Sequence, residues 1–154
     1  MFLFCLNSKY VSFNLYDLFF VVSRSSSTLL DYKSDNSIDG VLSTFITVNE
    51  PFPWLEIELD TERLISGIVV LNRMDCCGTR LRELEVRVGN NPVPLGYPGE
   101  KLKTNVVAGH FAGPGVDGET YPIDFTPSVR GRYISLQLLV EDNLQIEEVY
   151  LAGG

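Results

Sequence analysis

The sequence predicts an all-β domain, a sandwich or barrel. Three observations carry this: short apolar runs alternate with polar residues at period two, turn clusters rich in Gly, Pro and Asn separate them at regular spacing, and no long amphipathic helical pattern occurs. A chain of 154 residues with 45% apolar and 21% charged residues suits one globular domain with a full core.

From the start of the chain, residues 1–22 are apolar but interrupted by Lys9, Asn14 and Asp17, so their runs fall short of a secretory core or a spanning helix. We read residues 1–22 as an irregular, atypical N-terminal segment, residues 23–154 as the domain, and expect no transmembrane segment. Ser23 to Lys33 is polar, and Ser34 to Gly40 is dense in turn residues. Leu55, Ile57 and Leu59 then alternate with Glu56 and Glu58 as a strand, and Ile68 to Leu71 reads as a buried one. After the stretch Asn72–Arg80, Leu84, Val86 and Val88 alternate with Glu85 and Arg87. Turn-rich connections follow at 90–99, 113–118 and 126–131, and the carboxylates on alternating strand faces read as solvated surface. Ile134, Leu136 and Leu138 form a late strand, and Leu144 and Ile146 point inward near the end.

Asn72-Arg73-Met74-Asp75-Cys76-Cys77-Gly78-Thr79-Arg80 holds the most specific chemistry. It lies between two strands, where binding residues tend to sit. Arg73 and Arg80 offer planar forks of N–H donors for neighbouring hydroxyls or an anion, and Asp75 can orient one of them. Neighbouring Cα atoms lie about 3.8 Å apart, below the roughly 4.4–6.8 Å usual for a disulfide. Cys76 and Cys77 are therefore either two reduced thiols or a bridge that closes a tight ring with a flat sulfur surface.

The stretch NRMDCCGTRLRELEVRVG resembles the signature of the F-type lectins, or fucolectins, which bind fucose. The similarity continues in Pro53-Trp54-Leu55, in Gly131-Arg132-Tyr133-Ile134, in Leu144 to Val149 and in Asn36 to Gly40. It implies an eight-stranded jelly-roll β-sandwich of the galactose-binding, discoidin-like type, with no catalytic role. It implies that Arg73, Asp75 and Arg80 hold the sugar and that Cys76 and Cys77 form a vicinal disulfide against it, in an oxidising compartment. It further implies a calcium ion held by Asn36, Asp39, Val41 through its carbonyl, Ser43 and Glu147, oxygen donors suited to a hard cation. Two departures stand out. Ile46 occupies the position of the family's third sugar-contacting residue, a histidine, so the site is expected to be weakened. Thr44 and Ile146 stand where a long-range disulfide would be, so apolar packing must replace it.

Other classes fare poorly. A net charge of −8 disfavours nucleic acid and anionic membrane surfaces. The only histidine, His110, lies in an apolar run and reads as structural, so no hydrolytic triad or Cys/His metal spacing is present, nor a Gly-rich phosphate loop. The expected partners are fucosylated glycans or glycoproteins, met outside the cell by homo-oligomeric or multivalent display. The competing readings are a discoidin or coagulation-factor C-type module for a protein or lipid ligand, and a degenerate lectin fold used for adhesion or structure.

Overall fold

The computed structural model describes residues 11–14 and 21–153, so Cys5 lies outside the described residues. Its frame is a pair of long strands, β5 (Trp54–Leu71) and β8 (Thr120–Leu138). They run antiparallel from Trp54 opposite Gln137 to Leu71 opposite Thr120, with register shifts between Glu58 and Arg63 and between Ile65 and Gly67. Short strands precede β5, namely β1 (Val11–Asn14), β2 (Val22–Ser25), β3 (Phe45–Ile46) and β4 (Glu50–Pro51). Between the long strands come β6 (Leu84–Gly89) and β7 (Val106–Phe111); β9 (Glu141–Asp142), β10 (Gln145–Ile146) and β11 (Glu148–Gly153) follow them.

The pairing makes a sandwich. The first half of β5 takes β2 at its edge, and the second half of β8 takes β6 and then β7. The other halves continue into β11 and β1. Bent at the register shifts, the long pair thus belongs to both layers, and the alternate residues of each layer meet in one core. Leu55, Ile57, Val86 and Leu136 come from one layer, Ile68, Val70, Ile123 and Leu151 from the other. This is the jelly-roll sandwich that the resemblance implies. Of residues 1–22, the described part contributes β1, paired to β11, and the first residue of β2.

Two readings need correction. Separate strands were expected at 55–59 and 68–71 and a connection at 126–131, yet both regions are continuous strand. Bulges absorb the polar residues without breaking the chain's pairing: at the bend Asp60 takes the Arg63 guanidinium at 2.9 Å. Gly131 allows β8 to approach the end of β6 there, since a Cβ would sit 2.7 Å from the Gly89 nitrogen. The carboxylates, likewise, are not all solvated. Glu56, Glu85, Glu147 and Glu148 are buried. Glu56 accepts from Arg24 and from the Val93 amide, and Glu85 pairs with Arg87 and Lys101, so the charge of these two is matched by partners.

Two small sheets, β3 with β10 and β4 with β9, close one end of the sandwich. Phe45 and Ile146 are cross-strand partners there, both fully buried. They supply apolar packing beside Thr44, where the resemblance implies a long-range bridge that the residues present cannot form.

Candidate functional site

The loop 72–80 leaves the end of β5 and is pinned before it carries any binding group. Asn72 is buried; its Nδ2 donates to the carbonyls of Gly78 and Val116, both at 3.0 Å, and its Oδ1 accepts from the Arg73 amide. The segment before β8 holds the other side, with the Gly118 amide on the Arg73 carbonyl and Asp117 Oδ1 accepting from the Gly78 amide at 2.7 Å. A Cβ at Gly78 would lie 2.5 Å from the Asp117 nitrogen, so only glycine permits this approach. Cys76 and Cys77 are joined by a disulfide, with Cα atoms 3.7 Å apart and Cys77 in the left-handed region. A 3-10 turn, Gly78–Arg80, then directs Arg80 outward.

Arg73 is held from two sides. Its Nε donates to Asp75 Oδ1 at 2.7 Å and Nη2 to Oδ2 at 3.3 Å, while Nη1 donates to Gln145 Oε1 at 2.6 Å. The hydrogen bond to Asp75 raises the guanidinium further above its ordinary range and lowers the Asp75 carboxyl. Three of five N–H groups are used, which leaves one on each Nη for a ligand. Arg80 is freer: its Nε lies 3.7 Å from Asp142, a carboxylate it shares with Arg82.

Ile46 lies beneath this surface, 1% exposed and opposite Gln145 across the β3–β10 pair. Its amide donates to the Tyr32 carbonyl, and its carbonyl accepts from the Leu29 amide. Tyr32 and Glu147 both lie within electrostatic reach of Arg73. His110, by contrast, sits on edge strand β7 with Nε2 3.2 Å from Glu83. The sequence reading assigned no role to Gln145 or Asp142. Neither carries a local signal, because each meets its arginine through long-range pairing.

Asn36, Asp39, Val41 and Ser43 form a second, adjoining loop. Asn36 Nδ2 donates to the Thr44 carbonyl, and the two oxygens of Asp39 accept from the Val41 amide at 2.9 Å and the Ser43 hydroxyl at 2.8 Å. Glu147 accepts from the Thr44 hydroxyl at 2.5 Å. Glu148, next to it, accepts from the Gly40 amide at 3.3 Å through Oε1, while its buried Oε2 has no hydrogen-bond partner among the described residues. Burial pushes the Glu148 carboxyl up to about 8, reinforced by Asp39 and Glu147 nearby. Among the described residues no three His, Cys, Asp or Glu groups are already gathered as a metal cage. The orphaned carboxylate oxygen beside Asp39 and Glu147 nevertheless fits a hard cation, which would supply the missing positive partner.

The chain matches the model of the NedA-like galactose-binding domain over residues 36–136. The chain belongs to this family. Within it the sequence is that of an F-type lectin domain: it is 30% identical over 103 residues to Fucolectin-1 of Anguilla japonica, across 67% of this chain and 54% of that protein. The crystal structure of a fucolectin from striped bass (Morone saxatilis) serum superposes with a TM-score of 0.78 at 27% identity, covering 94% of this chain and 50% of that one. A fucose-binding module of Streptococcus pneumoniae shares the fold, with a TM-score of 0.71 at 18% identity over 96% of this chain and 99% of its own. The F-type lectin domain therefore spans about half the length of the curated relatives it matches. Those relatives are lectins rather than enzymes, in agreement with the non-catalytic reading.

Proposed function

We propose that this domain is a non-catalytic lectin for terminal fucose or a related sugar, displayed multivalently outside the cell on a calcium-stabilised scaffold. The observation that carries this is the clamped Arg73. A guanidinium fixed between Asp75 and Gln145 presents its two remaining N–H donors without further ordering, so little conformational entropy opposes capture of neighbouring hydroxyls. Arg80 supplies a second, less restrained fork, and the Cys76–Cys77 disulfide supplies an apolar surface for the sugar's CH face. Asn36, Asp39, Val41, Ser43 and Glu147 would hold calcium, with Glu148 beside them; the ion's charge would fasten the loop 36–44 next to Tyr32 and Ile46.

A second reading draws on the exposed Leu30, Val41 and Leu42, apolar side chains on neighbouring loops that would suit a discoidin-type contact with a protein or lipid. A glycan array with calcium separates the two. Fucosylated hits that vanish in Arg73→Ala support the lectin; a blank array with vesicle or protein binding overturns it.

A further inference from the structure

Gln145 is 2% exposed, in a two-residue strand where an apolar side chain would bury no unpaired amide N–H. Instead its amide is half used. Oε1 accepts from Arg73 Nη1 at 2.6 Å, and Nε2 is buried without an acceptor among the described residues. A buried donor left unpaired lowers stability, so the amide does not serve the fold alone. Its bonded half points to the loop that carries the binding groups, and its cross-strand neighbour is Ile46.

From this we infer that Gln145 is a positioning residue for Arg73 and a determinant of the site's affinity. The inference rests on the sugar-binding reading above and deepens it, making the site's affinity depend on the buried Gln145 amide and not only on the loop residues. Asp75 alone holds one edge of the guanidinium, through Nε and Nη2. Asp75 is largely exposed, with its side chain at 71%, so by itself it is a loose tether. Gln145 approaches the opposite nitrogen from within the sandwich, which sets the plane of the fork and aims its remaining N–H groups outward. Ile46 offers no polar group to share that task, so the geometry of the sugar contact depends on Gln145.

The test uses the full chain with calcium present and L-fucose as the probe, titrated calorimetrically. Gln145→Leu removes both amide functions and keeps the volume; it is expected to bind at least tenfold more weakly with a melting temperature equal to or above that of the unaltered chain. Gln145→Glu restores an acceptor for Nη1 and is expected to bind within a few-fold of the unaltered chain. Equal binding by Gln145→Leu overturns the inference, as does a binding loss matched by a fall in melting temperature. Side-chain nitrogen NMR of Arg73 gives a readout without sugar. Resolved Nη signals that merge in Gln145→Leu support the clamp, and unchanged signals overturn it. If the unaltered chain ignores L-fucose while the NMR signals respond, the sugar reading fails and the positioning role stands.

Discussion

Ile46 and Gln145 face each other across the β3–β10 pair, an apolar side chain opposite the amide that holds Arg73. At the position where the resemblance implies a sugar-contacting histidine, this chain has no polar group. A lost hydrogen bond to a hydroxyl that stays buried costs about 1–3 kcal/mol. Ile46→His should therefore tighten fucose binding by roughly one to two decades, at about 1.4 kcal/mol per tenfold. Calorimetry on both forms decides it. No change, with Arg73→Ala also silent, would mean that fucose does not bind at this loop.

The vicinal disulfide predicts a thiol count. Without reductant, the intact mass should be two hydrogens below that of the fully reduced chain, and alkylation should reach Cys5 but neither Cys76 nor Cys77. Labelling at Cys76 and Cys77 under those conditions would remove the bridge from the site and the reason to expect an oxidising compartment.

Calcium that binds only the folded chain stabilises it by mass action. Saturating calcium should raise the melting temperature, chelator should reverse the gain, and Asp39→Ala should respond to neither. An equal response in the variant would place the ion elsewhere.

Glu148 gives the apo domain a pH dependence. Its carboxyl is raised from 4.5 to about 8, first by burial and then by Asp39 and Glu147, against the opposing Gly40 amide. Between those values the folded chain keeps a proton that the unfolded chain has released, so stability falls as pH rises through the window. In chelator, the melting temperature should decline from about pH 4.5 to about pH 8, and Glu148→Gln should flatten the decline. A variant with the same slope as the unaltered chain would assign the dependence to other groups.

Asn72→Ala should unfasten the site loop. The carbonyls of Gly78 and Val116 each lose one of two donors, since the Leu81 and Glu119 amides remain on them, at about 0.5–1.5 kcal/mol for each lost hydrogen bond. At about 2–4 °C per kcal/mol for a domain of this size, melting should drop by several degrees. Sugar affinity should fall as well, since Arg73 and the disulfide ride on that loop. A variant that melts and binds unchanged would show that the Gly118 and Asp117 contacts suffice.

Much of this was legible in the chain because it is local. Alternation at Leu55–Leu59 and Leu84–Val88 marks strand whatever the rest of the molecule does, and Arg73, Asp75 and Arg80 announce a polar site between strands. What escaped depends on residues far apart. Asp60 to Arg63 has the composition of a turn, but an ion pair and a bulge keep it in β5. Glu56 and Glu85 look like surface until Arg24, Arg87 and Lys101 are brought to them. Gln145 stands 72 positions from Arg73, and no periodicity links them.

The continuity of β5 with the loop also bears on how the domain would carry mechanical load. A pull on a glycan held in the proposed mode enters along β5, whose last residues are paired to β11 on one side and β8 on the other. Antiparallel hydrogen bonds lie across the strand direction, so tension along β5 strains many of them together in shear instead of unzipping them singly. The sugar contact, built from a few hydrogen bonds, is then the weak link. Single-molecule pulling should record detachment of the glycan before any extension of the domain; extension first would show that the frame yields more easily than the contact.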